Sequence, residues 1–198
     1  DGTKTKPNQT IMSITGASAK ILTCERTALN LLTRMSGIAT QTNYLVKKIP
    51  SKTKLYATRK TAPGLRYFDK EAVEIGGGKK HRLRLDEMVM IKDNHIAVSD
   101  SLELLIKKAK KKYKKFEVEV ENISDAVFAA KSGASIIMLD NFTPSQIKKA
   151  ISILKKEKLR NKVLLEASGG ITVKNISNYG KTGVDIISVG SITNSVKG

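Results

Sequence analysis

Apolar positions recur along this chain in two alternating rhythms. Over residues 23–47, Leu29, Leu32, Met35 and Ile38 share one side of a 3.6-residue repeat, predicting a long helix. Similar helical spacing runs through residues 101–112, with Leu102, Leu105, Ile106 and Ala109, and through 144–156, with Ile147, Ile151 and Leu154. Shorter amphipathic stretches cover 124–131 and 173–179, and Ser124, Thr143 before Pro144, and Thr172 are expected caps. Between these helices stand short apolar runs at 54–57, 88–91, 116–120, 136–139, 163–165 and 186–189, each reading as a strand. Residues 10–14 and 20–23 are predicted as two further short strands. Strands separated by helices imply parallel βαβ units, hence an α/β fold.

The chemistry gathers where the strands stop. Thr58-Arg59-Lys60-Thr61 follows the first of the six runs, Lys92-Asp93-Asn94-His95 the second, and Asp140-Asn141 the fourth. The third carries Glu117, Glu119 and Glu121, the fifth ends in Glu166 then Ser168-Gly169-Gly170, and the sixth in Gly190-Ser191. In a parallel barrel these positions converge on the C-terminal face, where the active sites of such folds lie. The bland alternative is a set of ordinary polar loops.

Three kinds of chemistry are distinguishable. Arg59, Lys60, His81, Arg82 and Lys92 form a cationic set, and guanidinium forks suit a planar dicarboxylate or a phosphate. Glu119 and Asp140 form an acidic set at neighbouring strand ends. Alternation places Glu117, Glu119 and Glu121 opposite Val118 and Val120, so the glutamates point inward if the valines pack under the helices. Two carboxylates there suit Mg²⁺ beside a pyrophosphate, and equally suit pairing with a lysine such as Lys92. The third kind is backbone: Ser168, Gly169 and Gly170 before a helix expected near Thr172, and Gly190 with Ser191, allow main-chain N–H groups to approach an anion. Gly76-Gly77-Gly78 reads as a lid hinge, a close approach to substrate, or a plain linker.

Composition narrows this picture. The net charge of +18 fits either a nucleic-acid binder or an enzyme for polyanionic small molecules. Most lysines fall on the polar faces of predicted helices, and the chain has no Trp and few aromatics, so nucleic acid is not expected as a partner. No apolar run reaches the ~18 residues that span a bilayer, so no membrane partner is expected. Cys24 is the sole cysteine, which excludes an intrachain disulfide and fits a cytoplasmic setting. Both ends read as cuts through a larger polypeptide.

Several segments together resemble the quinolinate phosphoribosyltransferase (carboxylating nicotinate-nucleotide pyrophosphorylase) family. They are Glu25-Arg26-Thr27-Ala28-Leu29-Asn30, Ser36-Gly37-Ile38-Ala39-Thr40, and Thr58-Arg59-Lys60-Thr61-Ala62-Pro63-Gly64-Leu65-Arg66. Gly76-Gly77-Gly78 through His81-Arg82, Ile91-Lys92-Asp93-Asn94-His95, Glu117-Val118-Glu119-Val120 and Leu139-Asp140-Asn141 follow in order. Glu166-Ala167-Ser168-Gly169-Gly170 and Val189-Gly190-Ser191 complete the set.

The resemblance implies an open, incomplete (β/α) barrel of the type II phosphoribosyltransferase kind over residues 24–198. Residues 1–23 would be a remnant of an N-terminal α/β sandwich domain. It implies phosphoribosyl transfer from phosphoribosyl pyrophosphate to quinolinate with decarboxylation, giving nicotinate mononucleotide, in a homodimer or an oligomer built from dimers. By resemblance, Arg59, His81 and Arg82, with Arg26 from a partner subunit, hold quinolinate. Lys60 and Lys92 contact the phosphoribosyl donor, Lys92 also reaching quinolinate, and Glu119 and Asp140 take the ribose hydroxyls and Mg²⁺–pyrophosphate. Ser168, Gly169, Gly170, Gly190 and Ser191 take the 5′-phosphate. Thr193-Asn194-Ser195 departs from the family's usual Thr-His-Ser, for which altered affinity is expected. A molybdenum-transport-associated group shares the Thr-Arg-Lys and His-Arg pieces but lacks Lys-Asp-Asn-His. The rival readings are another phosphosugar barrel enzyme and a nucleic-acid-binding module.

Overall fold

The computed structural model describes residues 2–98 and 101–196. Six strands form one all-parallel sheet: β1 (Lys54–Ala57), β2 (Val89–Ile91), β3 (Phe116–Val120), β4 (Ile136–Asp140), β5 (Leu164–Ser168) and β6 (Ile186–Val189). Their spatial order is β1-β6-β5-β4-β3-β2. The six predicted runs are therefore all strands, to within a few residues.

The sheet curls without closing, as an incomplete barrel should. Beyond β1, Lys79 continues the ladder: Ala57 N–H donates to its carbonyl at 2.9 Å, and its own N–H to Leu55 at 2.8 Å. No strand pairing joins this segment to β2 among the described residues. That seam lies next to His81 and Arg82.

Helices α1 (Ser18–Val46), α2 (Arg66–Ile75), α3 (Asp93–Val98), α4 (Leu102–Lys112), α5 (Ile123–Lys131), α6 (Pro144–Lys156), α7 (Ile176–Gly180) and α8 (Ser191–Asn194) accompany the sheet. The best-specified start is α6, where Thr143 and Gln146 form a reciprocal capping box before Pro144. Ser101 caps α4 by accepting from Leu104 N–H at 3.2 Å. The core lies between sheet and helices. Val118, Ile137, Leu139, Leu165 and Ile187 from the strands meet Ala126, Ile147 and Leu154 from the helices, all fully buried.

Several sequence expectations need correction. Residues 10–14 form no strand, and Ile11, Met12 and Ile14 are exposed; β-prone residues make no strand without a ladder partner. Residues 20–23 belong to α1, where Ala19, Lys20 and Leu22 are good helix formers. The cap of α5 is Asn122 rather than Ser124: its Oδ1 accepts from Asp125 N–H at 2.9 Å and from the Ser124 hydroxyl at 2.6 Å. Helix α7 starts at Ile176, not near Thr172. Asn175 instead braces a loop, accepting from Thr172 N–H at 2.7 Å and donating to the Gly170 carbonyl at 3.0 Å.

The triple glycine is a packing contact rather than a lid hinge. A Cβ on Gly76 would stand 2.5 Å from the Ala39 carbonyl oxygen, and one on Gly78 2.7 Å from Val73. Only glycine lets the end of α2 approach α1 this closely.

Candidate active site

Because all six strands run the same way, their C-terminal ends share one rim, and each delivers a polar group there. Thr58, Arg59 and Lys60 leave β1, Lys92 leaves β2, Glu119 sits near the end of β3, and Asp140 closes β4. Parallel register sets Asp140 beside Ser168 of β5 and Met138 beside Glu166. The segment after Lys79 adds His81 and Arg82. Arg59, Lys60, His81, Arg82, Lys92, Glu119, Asp140 and Ser168 thereby line one cleft of about 220 Å³, together with Glu166, Ser188 and the apolar Met90 and Met138.

The remaining expected groups stand around this cleft or away from it. A Cβ on Gly190 would lie 3.3 Å from Lys60 Cδ, and the Thr193 hydroxyl donates to the Lys60 carbonyl at 2.7 Å, so the loop after β6 abuts Lys60. Gly169 takes φ +86°, and a Cβ there would fall 2.2 Å from Asn141 Oδ1, so β4 and β5 meet tightly just past Asp140 and Ser168. Gly170, at φ +59°, faces open space, and Ser191 opens the single turn of α8. The five-residue α7 starts too late to direct a helix dipole at this loop, leaving its main-chain amides as the available donors. Arg26 lies on the exposed first half of α1 and does not line the cleft.

The charges in the cleft are ordered. Lys92 donates to Glu119 Oε2, which is the lysine pairing that the sequence allowed beside metal binding. Asp140 Oδ2 accepts from Asn141 Nδ2 at 2.7 Å. Arg82 crosses the open seam, its Nη1 donating to the Met88 carbonyl at 2.9 Å and its Nη2 reaching Met90 Sδ at 3.3 Å. Burial, aided by Arg59, lowers the Arg82 pKa against the opposing pull of Glu117, Glu119 and Glu166.

Beneath the rim, His81 Nε2 lies 3.4 Å from Glu117 Oε2 and 3.5 Å from Glu166 Oε2, and both glutamates are fully buried. These distances describe charge contacts rather than formed hydrogen bonds. Burial drives the Glu117 carboxyl upward and Glu166 adds to this, while His81 and Arg82 oppose it. For His81, burial lowers the pKa, but the two carboxylates outweigh it and carry the imidazole to about 9.

Behind His81, the fully buried Lys70 of α2 donates to the carbonyls of Lys80 and Arg82. His81 itself takes φ +51°, a conformation rare for a residue with a side chain. Sequence reasoning placed Glu117 on the inward face of β3 and Glu166 at the end of β5, but assigned neither a role, and it missed Lys70. A lysine amid Asp69 and Glu71 reads as a solvated helical charge.

An open parallel barrel whose C-terminal rim concentrates cations above buried carboxylates defines a (β/α)-barrel enzyme for anionic small molecules. The chain belongs to the quinolinate phosphoribosyltransferase family: the family model for the C-terminal domain matches residues 38–198, and that for the N-terminal domain residues 1–36. A relative from Archaeoglobus fulgidus, named probable nicotinate-nucleotide pyrophosphorylase (carboxylating), is 48% identical over 98% of this chain and 77% of its own. The nicotinate-nucleotide pyrophosphorylase (carboxylating) of Rattus norvegicus is 37% identical over 98% of this chain and 66% of its own. The solved nicotinate-nucleotide pyrophosphorylase of Francisella tularensis superposes with a TM-score of 0.83 at 47% identity, over 91% of this chain. The chain spans 64% of that solved protein.

Proposed function

We propose that this chain is the catalytic barrel of an enzyme transferring a phosphoribosyl group from phosphoribosyl pyrophosphate to quinolinate, with loss of CO₂, to give nicotinate mononucleotide. The observation that carries this reading is the single cleft that gathers Arg59, Lys60, Arg82 and Lys92 around Glu119 and Asp140. Two polyanionic substrates call for such an excess of fixed cations.

Arg59, His81 and Arg82 bind the acceptor's carboxylates, with Arg26 supplied by the second subunit of a homodimer. Lys60 and Lys92 neutralise the donor's pyrophosphate as its bond to the sugar breaks. Ser168, Gly169, Gly170, Gly190 and Ser191 cradle the 5′-phosphate. The ring nitrogen attacks C1 of the sugar. The positive ring nitrogen so formed stabilises the electron pair left on the adjacent ring carbon when its carboxylate departs as CO₂, and a proton from water takes up that pair to give the product.

Glu119 and Asp140 orient the ribose hydroxyls. They are also the residues that would hold Mg²⁺, directly or through water; their oxygens are the donor type this ion prefers. When bound, the ion supplies charge neutralisation to the leaving pyrophosphate. Residues 1–23 are read as a remnant of an N-terminal α/β sandwich domain and 24–198 as the barrel domain. The cytoplasm is the setting this reading gives the enzyme.

The test is release of labelled CO₂ from carboxyl-labelled quinolinate by the protein carrying this chain, with and without phosphoribosyl pyrophosphate and Mg²⁺. Release that requires the phosphoribosyl donor supports the reading. Turnover of nicotinic acid in place of quinolinate would replace it with a noncarboxylating transferase.

A further inference from the structure

Glu117 and Glu166 are fully buried, and neither is given a part in the reaction above. They come from β3 and β5, on either side of β4, and converge on one atom, Nε2 of His81. Among the described residues, none of their four carboxylate oxygens has a hydrogen-bond partner, and neither has His81 Nε2. Two buried carboxylates without a counter-charge would be costly, so the imidazole between them is their natural cation.

Arg82 also favours the charged form of Glu117, but among the described residues no other cation hydrogen-bonds either glutamate. Tyr56 of β1 presents its ring edge-on, with centroids 5.5 Å apart, and the guanidinium of Arg82 is engaged with Met88 and Met90. Arg59 follows β1, whose last residue Ala57 pairs with Lys79, and it hydrogen-bonds neither glutamate; Lys70 is spent on the Lys80 and Arg82 carbonyls.

We propose that Glu117 and Glu166 are positioning residues that hold His81 as an imidazolium in the acceptor site, where it joins Arg59 and Arg82 in binding the two carboxylates of quinolinate. The inference rests on the reaction proposed above for the identity of the acceptor. It does not rest on it for the charge of the imidazole.

Imidazole NMR of ring-labelled protein reads this charge directly, with the His81 signal assigned by its loss in His81→Asn. In the unliganded wild type, His81 should titrate near 9, against the ordinary 6.5. Glu117→Gln and Glu166→Gln should each lower that midpoint. The double variant should bring it to 6.5 or below, because burial is then unopposed.

Kinetics add a readout that misfolding would not mimic. At pH 8 the double variant should raise the KM for quinolinate at least about thirtyfold, the ratio of protonated fractions for midpoints of about 9 and 6.5. At pH 6 that ratio should fall by at least about tenfold, since the variant's imidazole is then charged in a much larger fraction of molecules.

A wild-type midpoint at or below 6.5, or one unmoved by either substitution, overturns the proposal. So does stoichiometric bound metal on His81. A charged His81 in a protein that does not turn over quinolinate would overturn the assigned acceptor and uphold the pairing.

Discussion

Replacing Lys70 with methionine tests how the cationic side of the site is held in place. The side chain is fully buried, and its ammonium binds the carbonyls on either side of His81. Methionine keeps most of the volume and removes both donors, and each unpaired carbonyl costs about 1–3 kcal/mol. Against this stands relief from burying a cation: burial, together with Arg66, Arg59 and Arg82, pulls the lysine down to about 8 despite Glu87. The balance is a loss of about 1–3 kcal/mol at pH 7. Lys70→Ala adds a cavity worth about 2–5 kcal/mol more. The pH dependence is the sharper signature. Between about 8 and the ordinary 10.5 the unfolded chain holds a proton on Lys70 that the folded protein lacks, so wild-type stability gains from this group as pH rises. The gap between wild type and Lys70→Met should therefore widen across that interval in urea unfolding followed by far-UV circular dichroism. A methionine variant as stable as wild type at pH 7, or a gap constant from pH 7 to 10, would refute the reasoning.

Three further outcomes are expected. Arg34 binds the fully buried Asp69 through two hydrogen bonds of 2.7 and 2.8 Å and also donates to the Thr193 carbonyl, joining α1, α2 and α8. Arg34→Met should cost about 3–5 kcal/mol in chemical unfolding, and Arg34→Met/Asp69→Leu should recover much of it, because the stranded carboxylate is then gone. Arg82→Ala or Lys92→Ala should abolish quinolinate turnover with an unchanged circular dichroism spectrum; full activity in either would discard the site assignment. Gly169→Ala places a methyl group 2.2 Å from Asn141 Oδ1 at φ +86°, so steady-state kinetics should show a higher KM for phosphoribosyl pyrophosphate. An unchanged KM would remove this loop from the phosphate site.

How much of this was legible in the sequence follows from what each residue pairs with. Val118, Ile137, Leu139 and Leu165 announce buried strands because their burial needs only apolar surroundings, which many folds provide. Thr143-Pro144 with Gln146 announces a helix start because all its partners are local. Helix α2 was not foreseen, for the opposite reason. Its inward face sets Asp69 and Lys70 beside the apolar Ala72 and Val73, and the charged pair's partners are Arg34, 35 positions earlier, and the carbonyls of Lys80 and Arg82. Without those partners the two charges interrupt a short apolar stripe that would otherwise announce the helix. Glu117 was placed facing inward by alternation, yet its neighbours come from β5 and from a loop after α2. No spacing within one strand reveals them.

The same reasoning explains why the barrel is open where it is. Lys79 extends the sheet beyond β1 by backbone pairing, but the chain then leaves strand geometry at His81. Had residues 80–83 continued as a strand toward β2, alternation would have sent His81 and Arg82 to opposite faces of the sheet. The left-handed backbone at His81, held by Lys70 from behind, lets both side chains enter the same cleft. Arg82 then spans the seam with its guanidinium, reaching the Met88 carbonyl in place of a main-chain ladder. The missing pairing thus has a chemical return: the seam of the barrel becomes the cationic wall of the site.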